Sequence, residues 1–315
     1  MIKNNKFWNN KIVLVTGGNG FIGRNLIIEL KKYKLRKIIS PSKKEFNLSI
    51  ESDVKKLFYS IKPDIVIHLA AKVGGIKTNK LLKGEFFYKN IMIGTLVMEY
   101  ARLNNVKRFV TLAPGCGYSY KNQKKLNEKD YWKDLPDENS LGYSMAKKML
   151  VIQSWTYREQ YGFNSSIMIP ANTYGPFDNF NSETSHVIPA LIKKFIEAKK
   201  NNKKKITIWG SGLASREFLY VKDVVKALIK VTEKFNSSGP INFGSGKEIS
   251  IKELAKRIKK LTLYEGKIDW DKSKPDGQLK KIYNMNLFNT KIGTIKNTSL
   301  DEGLKKTISW YKKNI

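Results

Sequence analysis

The sequence predicts an α/β protein built on a doubly wound parallel sheet, with a smaller α/β region for binding a substrate. Two observations support this fold class. Short β-branched runs alternate with helix-like segments, which is the order of a parallel sheet covered by helices on both faces. The first run also leads through a glycine-rich loop into a helix, which is typical of a site for anionic cofactors. A chain of 315 residues is long enough for one large domain or two modest ones.

The first strand and the loop after it carry the clearest signal. Residues 11–16, KIVLVT, predict a strand buried on both faces, and Gly17, Gly20 and Gly23 lead from it to a helix predicted over residues 24–32. In a dinucleotide loop, the first glycine allows a tight turn, the second lets the backbone approach a pyrophosphate, and the third permits close helix packing. An ordinary glycine-rich turn is the alternative. The predicted cofactor contacts of the loop are Gly17, Gly20, Phe21, Ile22 and Gly23.

The rest of the chain continues the alternation and adds a second region. We expect residues 1–173 to form the dinucleotide-binding Rossmann domain, with residues 221–245 returning to it through a strand near 240–243. Residues 174–220 and 246–315 are expected to form the substrate-binding region. The predicted elements are a strand at 37–40, a helix at 52–60, a strand at 64–70, a helix at 86–104, a strand at 108–112, a helix from 143 to 160, a helix at 187–200, a strand at 206–209 and a helix at 221–235.

The residues after the second strand bear on the choice of cofactor. NAD sites usually place an acidic residue there to bind the ribose hydroxyls. This chain has the run SPSKK over residues 40–44, which contains no carboxylate. We therefore favour NADP (NADPH), with Ser42 and Lys43 near the 2′-phosphate, over NAD. NAD is still possible, because these lysines can be ordinary surface residues.

The charge of the chain raises the question of a polyanionic partner. The net charge is +32, from 59 Lys and Arg against 27 Asp and Glu. Only seven of the basic residues are arginines, and lysines are scattered through every segment, whereas nucleic-acid-binding proteins usually cluster arginines. We therefore expect no nucleic-acid partner. The positive field should still attract small ligands that carry phosphate.

Cysteine and histidine are rare. The single cysteine, Cys116, excludes an internal disulfide framework, and with only His68 and His186 beside it we expect no bound metal. This usage is typical of a reducing compartment. No apolar stretch approaches the roughly 18 residues of a membrane helix. We therefore expect a cytoplasmic protein with no membrane partner.

Tyr143 and Lys147 are candidates for proton transfer. They stand four residues apart in a helix-like segment, so their side chains share one face, where the ammonium can favour the ionised phenol. Such a tyrosine is a competent proton donor and acceptor beside a hydride-transfer site. A tyrosine and a lysine at this spacing are usually structural when they occur alone.

Joined to the glycine loop, this pair resembles the signature of extended short-chain dehydrogenases/reductases. The chain is further similar to their nucleotide-sugar branch, the GDP-L-fucose synthases, which are GDP-4-keto-6-deoxy-D-mannose 3,5-epimerase-4-reductases. The resemblance runs from residue 11 to about residue 311. Its motifs are AAKVGGI (70–76), YKNIMIGT (88–95), the pair Cys116 and Tyr118, YSMAKK (143–148), REQYGFN (158–164), NTYGPFDNF (172–180), SHVIPALIKKF (185–195), WGSGLASREFLYVKD (209–223) and SKPDG (273–277).

The resemblance implies an enzyme that inverts carbons 3 and 5 of a 4-keto sugar and then reduces the ketone with NADPH. A cysteine and a histidine form the acid–base pair in the family, and Cys116 and His186 match their motif positions. Tyr143 then protonates the carbon-4 oxygen, and Lys147 holds the nicotinamide ribose and tunes the tyrosine. From the residues alone, Cys116 can instead be a small core residue and His186 a buried hydrogen-bonding group.

The resemblance also implies binding residues and an assembly. Arg216 is expected on a diphosphate oxygen of the nucleotide sugar, most often a GDP-sugar. Family members are commonly homodimers through two long helices, here residues 86–104 and 145–160. Substrate contacts are Asn172, Asn179, Lys194, Trp209, Arg216 and Asp276. Further cofactor contacts are Leu69, Ala70, Ala71, Asn90, Leu112, Ala113, Lys147, Pro170, Asn172 and Thr173.

One position departs from the family pattern. Relatives carry Ser or Thr two residues before the cysteine, and its hydroxyl binds the substrate oxygen beside the tyrosine; this chain has Pro114 there. Proline has neither a side-chain donor nor a backbone N–H, so it cannot replace that hydroxyl; either Tyr118, Ser119 or an ordered water fills in, or Tyr143 carries the hydrogen bond alone. Three interpretations stay open: an active epimerase-reductase, an epimerase or 4-keto reductase of another nucleotide sugar, and a cofactor-binding protein with little turnover. The presence of all four catalytic candidates speaks against the third.

Overall fold

The structure is a computed structural model that describes residues 3–119, 121, 125–181, 184–274, 276 and 278–315, and only the backbone of residues 76 and 77. Pro275 and Gly277, from the motif SKPDG, lie outside the described residues. The described strands are β1 (Ile12–Thr16), β2 (Lys37–Ile39), β3 (Ile65–His68), β4 (Arg108–Leu112), β5 (Ser165–Pro170), β6 (Asn172–Tyr174), β7 (Lys205–Trp209), β8 (Ser215–Tyr220), β9 (Pro240–Phe243), β10 (Glu248–Ser250) and β11 (Lys267–Asp271).

Six parallel strands form the central sheet, in the spatial order β2-β1-β3-β4-β5-β9. Two smaller sheets belong to the second region, with the orders β10-β8-β6 and β11-β7. The described helices are α1 (Phe21–Leu30), α2 (Glu51–Ile61), α3 (Ile76–Leu81), α4 (Lys83–Leu103), α5 (Leu141–Tyr161), α6 (Val187–Lys200), α7 (Val221–Lys234), α8 (Ile251–Thr262), α9 (Asn286–Lys291) and α10 (Leu300–Asn314), with 3₁₀ turns at Gly115–Gly117 and Glu128–Trp132.

The central sheet is buried on both faces. In β1, Val13 and Val15 contribute to the core on one face, which also contains residues of α1 and α7, and Leu14 contributes to the core on the other face, with residues of α2 and α4. This arrangement explains why the strand is apolar throughout instead of alternating. A third core lies in the second region, where α6, α8 and α10 pack around β7 and β8.

The predicted fold class, an α/β protein with a doubly wound parallel sheet, is confirmed. The strand expected near residues 240–243 is β9, which pairs with β5. Helix α1 begins at Phe21, three residues before the predicted start, because Gly20 already takes the extended conformation of a helix N-cap. The strands β6, β8, β10 and β11 were not expected.

Within the described part of the chain, none of the helices has both the length and the apolar character needed to cross a membrane. The same residues contain no group of three or more His, Cys, Asp or Glu side chains that could hold a metal ion.

Candidate active site

The predicted site residues of the first region follow the carboxyl ends of neighbouring strands. The glycine loop follows β1, Leu69 to Ala71 follow β3, and Ala113 to Cys116 follow β4, which ends at Leu112. Pro170 ends β5, and Asn172 and Thr173 lie on β6 directly after it. Since parallel strands end at one edge of a sheet, these segments line one crevice, which is where open α/β sheets bind ligands.

The glycine loop leaves no room for side chains. Gly17 has a φ of +71°, and a Cβ on it would lie 2.6 Å from the Ala70 nitrogen. A Cβ on Gly23 would lie 2.2 Å from the Gly17 oxygen. Gly20 caps α1 without a side-chain hydrogen bond, and the first turn of α1 has no acidic residue. The loop therefore offers backbone N–H groups and a positive helix end to a pyrophosphate.

Asn90 is buried in α4 and holds the loop after β3. Its side-chain oxygen accepts the Lys72 N–H at 2.9 Å, and its side-chain nitrogen donates to the Lys72 carbonyl at 2.9 Å and to the Phe86 carbonyl at 2.7 Å. These bonds fix the backbone that packs against Gly17. Asn90 therefore fixes the loop after β3, which borders the predicted cofactor site.

The turn after β2 contains a carboxylate, Glu45, one residue beyond the run SPSKK. The Ser42 N–H donates to the Glu45 carboxylate at 2.7 Å, and the Glu45 N–H donates to the Ser42 hydroxyl oxygen at 3.3 Å. These hydrogen bonds lower the pKa of Glu45. Lys43 is exposed beside this turn. The turn therefore offers the Lys43 ammonium and the Ser42 hydroxyl to a ligand, while the Glu45 carboxylate is hydrogen-bonded to the backbone of the turn.

Tyr143 and Lys147 lie one helical turn apart at the start of α5. Burial and the neighbouring Cys116 raise the pKa of Tyr143, which is opposite to the direction expected from Lys147. Burial disfavours the charged phenolate, and the negative charge of Cys116 acts in the same direction, so the phenol stays protonated. Lys147 is 4% exposed, and burial lowers its pKa to about 8. It remains charged at neutral pH.

Cys116 lies in the 3₁₀ turn after β4 and is half-buried. The hydroxyl of Ser144 donates to its sulphur at 3.2 Å, and the same hydroxyl lies 3.2 Å from the Ser140 hydroxyl. Ser144 is fully buried and directly follows Tyr143 in α5. The structure thus places the thiol beside the first turn of the helix that carries Tyr143 and Lys147.

Lys281 reaches the same place from the second region. Its Cε would lie 3.8 Å from a Cβ on Gly115, so its side chain passes beside the residue that precedes Cys116. Burial lowers the pKa of Lys281 to about 8, and the charges of Cys116 and Asp137 act in the opposite direction. The sequence did not predict this residue, because nothing distinguishes it from the many other lysines.

Tyr283 anchors that segment. The carboxylate of Glu217, fully buried on β8, accepts the Tyr283 N–H at 3.0 Å and the Ser245 N–H at 2.8 Å. The Tyr283 hydroxyl would lie 1.9 Å from a Cβ on Gly115, so only glycine fits between this ring and Cys116. Glu217 therefore positions the segment that presents Lys281 to the cysteine.

His186 precedes α6, where it occupies the N-cap position without a side-chain cap. The residue is exposed to solvent, yet the surrounding protein lowers the pKa of its ring. Its imidazole is therefore neutral at pH 7 and can accept a proton. The other histidine, His68, is buried at the end of β3 and forms a hydrogen bond with the Thr16 hydroxyl at 2.7 Å. It is therefore a structural residue of the core.

Three predicted substrate residues gather at one end of β7. The Lys194 ammonium donates to the Thr207 carbonyl at 2.6 Å, and Trp209, at the end of the strand, is 68% exposed. Asp276 accepts the N–H and the hydroxyl of Ser211, each at 2.6 Å, which lowers the pKa of its carboxyl. The exposed indole and the ionised carboxylate can stack on and hydrogen-bond a flat heterocycle.

The other three substrate candidates are placed differently. Arg216 lies on β8, is half-buried, and donates to the Ser215 carbonyl at 2.7 Å. Asn172 donates to the Glu217 carbonyl at 3.2 Å. Asn179 donates to the Thr184 hydroxyl at 2.9 Å, so in this structure it stabilises its own loop.

The surroundings of Pro114 settle one expectation. Tyr118 cannot replace the missing hydroxyl, because it is 1% exposed and donates to the Asn242 side chain at 2.7 Å. Ser119 is buried, and its hydroxyl oxygen accepts the Lys121 N–H at 3.2 Å. The Pro114 carbonyl accepts the Tyr131 hydroxyl at 3.2 Å. The suggestion that Tyr118 substitutes was therefore wrong.

Comparisons with known proteins agree with this fold. The sequence profile of the NAD dependent epimerase/dehydratase family matches residues 13–244. GDP-L-fucose synthase 1 from Arabidopsis thaliana is 33% identical over 303 residues, which span 96% of this chain and 94% of that protein. A GDP-L-fucose synthetase from Naegleria fowleri bound to NADP is 28% identical, with a TM-score of 0.88 over 97% of this chain and 95% of that one. A GDP-mannoheptose C4 reductase from Campylobacter jejuni with NADP bound is 26% identical, with a TM-score of 0.88 over 96% and 98% of the two chains.

Proposed function

Because the chain belongs to the NAD dependent epimerase/dehydratase family, we propose that it is an NADPH-dependent enzyme that epimerises and reduces a GDP-linked 4-keto-6-deoxy-hexose. The relatives named for GDP-L-fucose synthesis and the NADP-bound structures of GDP-sugar enzymes support this substrate class and this cofactor. The observation that carries the proposal is the hydrogen bond from Ser144 to Cys116. It brings the cysteine to the first turn of α5, where the charge of Cys116 also acts on the Tyr143 phenol, so we infer that the candidate base for epimerisation and the proton donor for reduction face one substrate.

The residues fit the cofactor. Gly17 and Gly23 keep open a cradle that a Cβ would fill, and the start of α1 can hold the pyrophosphate. Ser42 and Lys43 can contact the 2′-phosphate, while Glu45 is held by the Ser42 backbone; NAD is the alternative cofactor. When bound, NADPH supplies a hydride to carbon 4 of the sugar. Lys147 holds the nicotinamide ribose in this proposal.

Epimerisation needs a base and an acid beside a ketone. The carbonyl at carbon 4 acidifies the protons on carbons 3 and 5, and Cys116 and His186 exchange them on opposite sides of the ring. The lowered pKa of His186 keeps its imidazole neutral near pH 7, the form that accepts a proton, and the imidazolium formed in this way can then give one. The half-buried thiol of Cys116 is accessible from the crevice. Two positioned groups therefore suffice for both inversions.

Reduction needs a proton donor at the carbon-4 oxygen. Burial keeps Tyr143 protonated at neutral pH, which is the form that gives a proton as the hydride arrives. The charged Lys147, one turn further along α5, stabilises the phenolate that results. The raised pKa of Tyr143 in the free protein is thus compatible with catalysis in the direction of reduction.

The second region supplies the nucleotide contacts. We propose that Trp209 and Asp276 bind the base, and that Arg216 and Lys194 bind the diphosphate and its ribose. Asn172 and Asn179 remain candidates at the sugar end of the crevice. The net charge of the chain favours the encounter with an anionic substrate.

The proposal is tested with GDP-4-keto-6-deoxy-mannose and NADPH in deuterium oxide. We expect NADPH oxidation, with deuterium at carbons 3 and 5 of the product. Cys116→Ala should lower deuterium incorporation by at least about 100-fold, the usual contribution of a general base, and should leave the reduction of an already epimerised ketone intact. Equal loss of both reactions would remove Cys116 from its role as the base.

A second function, reduction without epimerisation, is favoured by Pro114. The proline removes a hydroxyl that binds the substrate oxygen in relatives, so a different sugar can be the substrate, and the C4 reductase from Campylobacter jejuni is a structural neighbour. Hydride transfer without deuterium at carbons 3 and 5 would support this alternative.

We also propose a homodimer in the cytoplasm. Helices α4 and α5 pack side by side and expose Phe87, Tyr88, Leu103 and Tyr161, which supports an interface on this pair of helices. A catalytic thiol that must stay reduced is suited to the cytoplasm.

A further inference from the structure

The segment of residues 175–180, which follows β6, has a strained backbone. Phe177 has a φ of +70°, in the left-handed region that residues other than glycine rarely adopt. Gly175 has a φ of +151°, and a Cβ on it would lie 2.5 Å from the Val221 side chain. Backbone strain of this kind persists only where the surrounding structure fixes it, and it is typical of segments that hold a ligand.

The 175–180 segment makes few hydrogen bonds of its own. Among the residues that the structure describes, one backbone hydrogen bond closes within it, from the Asp178 N–H to the Gly175 carbonyl at 3.3 Å. The Asp178 side chain accepts the Asn179 N–H at 2.7 Å, and its second oxygen is buried without a hydrogen-bond partner among the same residues. The conformation is therefore set by the elements that pack against the segment.

Two helices, α1 and α10, hold the segment. From α1, the side-chain nitrogen of Asn25 donates to the Pro176 carbonyl at 2.9 Å, and the Arg24 guanidinium lies 5.6 Å from the centre of the Phe177 ring. From α10, the Trp310 ring packs against Phe177, with centroids 5.1 Å apart. Asn25 is 6% exposed, so its hydrogen bond is largely shielded from water. The strained residue thus lies between a helix of each region.

We propose that Asn25 is a positioning residue for the nucleotide sugar: through the Pro176 carbonyl it holds the 175–180 segment where Asn179 contacts the sugar. The inference rests on the proposed function, in which Asn179 lies at the sugar end of the crevice. Helix α1 begins directly after the glycine loop, which binds the pyrophosphate of the cofactor in that function. One helix therefore sets the position of the sugar-binding segment relative to the cofactor.

The amide of Asn25 suits this role because it has two donors. Its nitrogen donates to the Phe21 carbonyl at 3.0 Å, within α1, and to the Pro176 carbonyl. The first hydrogen bond fixes the amide on the helix, so the second has a defined direction. Removal of the amide leaves the Pro176 carbonyl without this donor in a place that water reaches poorly, which favours movement of the segment.

The test replaces Asn25 by Ala and, to keep the volume of the side chain, by Leu. In the ligand-free protein, we expect faster hydrogen–deuterium exchange at residues 177–180 in both variants, measured by mass spectrometry. With NADPH and GDP-4-keto-6-deoxy-mannose, KM for the sugar should rise about three- to tenfold, the effect of one lost hydrogen bond. The kcat and the Kd of NADPH should not change, because the bond touches neither the reacting atoms nor the glycine loop.

Asn104→Ala is the matched control. The Asn104 side chain donates to the Tyr100 carbonyl at 2.8 Å, four residues back along α4, as Asn25 does to Phe21. This variant loses the same kind of helix contact far from the 175–180 segment in the chain, and it should leave both the exchange and KM unchanged. Urea unfolding of all variants detects general destabilisation, which speeds exchange throughout the chain instead of raising KM alone.

Two results would overturn the inference: normal exchange at residues 177–180 in both Asn25 variants, or faster exchange there with an unchanged KM. Failure of the proposed function gives a different pattern. In that case the Asn25 variants release the segment, but the wild type turns over no GDP-sugar.

Discussion

Pro114 is the residue that departs most from the chemistry expected of this site. Its ring stands where the resemblance implies a hydroxyl, Tyr118 is engaged in the core, and the Pro114 carbonyl already accepts the Tyr131 hydroxyl. In the proposed function, the oxygen at carbon 4 therefore depends on Tyr143 for its hydrogen bond from this part of the chain. A loss of this kind typically costs about 2.7–4 kcal/mol in oxyanion sites.

Restoring the hydroxyl should therefore accelerate reduction. We expect Pro114→Ser to raise kcat for reduction of the GDP-4-keto sugar at least tenfold, because it adds a donor beside Tyr143. Pro114→Ala is the matched control, since it removes the ring without adding a hydroxyl, and it should give no gain. An unchanged rate in the serine variant would mean that the site has another donor. Stopped-flow oxidation of NADPH measures both variants.

The buried ammonium of Lys147 predicts that the rate of reduction falls at high pH. Its pKa is about 8, so the charged form predominates at pH 7 and is lost as the pH rises through 8. If the charge stabilises the phenolate of Tyr143, kcat/KM for reduction should fall above pH 8. Using an already epimerised ketone removes Cys116 from the measurement. The fall of kcat/KM above pH 8 should persist in the Lys281→Met variant. If the wild type shows no such fall, this role for Lys147 is excluded.

The glycine loop and α1 are held together by direct backbone contact. Gly23 lies against the Gly17 carbonyl, and this contact sets the distance between the start of α1 and the end of β1. The start of the helix is therefore fixed by backbone contact alone, which also allows the backbone to approach an anion closely.

A methyl group at Gly23 should break this arrangement. Its Cβ would lie 2.2 Å from the Gly17 oxygen, a backbone atom that cannot move without opening the loop. We expect Gly23→Ala to weaken NADPH binding at least 100-fold and to lower the free energy of unfolding by about 1–3 kcal/mol. Gly84→Ala in α4 meets nothing within 4 Å and should leave binding unchanged. Fluorescence titration and urea unfolding report the two quantities, and normal binding in Gly23→Ala would contradict the assigned cradle.

The central sheet could be predicted from local signals, and most of the site around Cys116 could not. Continuous apolar runs such as that of β1 indicate a strand buried on both faces, and the glycines mark the turn that follows. Ser144 and Lys281 carry no such signal, because they approach the turn around Cys116 from distant parts of the chain. The pKa of Tyr143 was expected in the wrong direction for a similar reason: helical spacing shows the nearby ammonium but not the burial.

At the scale of the whole molecule, the two regions depend on each other. Strand β8 of the second region carries Glu217, whose carboxylate binds the backbone of Tyr283 and Ser245. The Tyr283 ring in turn packs against Tyr118 of the first region, with ring centroids 6.0 Å apart. The substrate region and the sheet are thus held together by buried polar and aromatic contacts. A small shift of the substrate region relative to the sheet would separate Lys281 from the turn that contains Gly115 and Cys116.

The exposed apolar side chains of α4 predict the assembly. Phe87 and Tyr88 are 43% and 55% exposed near the start of this helix. We expect the protein to elute as a dimer, and the double variant Phe87→Glu with Tyr88→Glu to elute as a monomer, because like charges would face each other across the interface. Leu263→Glu, at an exposed position after α8, is the control and should remain dimeric. Light scattering coupled to gel filtration measures the mass, and a monomeric wild type would refute the proposed dimer.

The pairing of β9 with β5 has a consequence for the synthesis of the chain. Residues 240–243 supply the sixth strand, so β5 presents an unpaired edge until that segment has emerged from the ribosome. Such an edge can pair with another nascent chain. The interval between translation of β5 and of β9 is therefore the period in which chaperones would protect this protein most effectively.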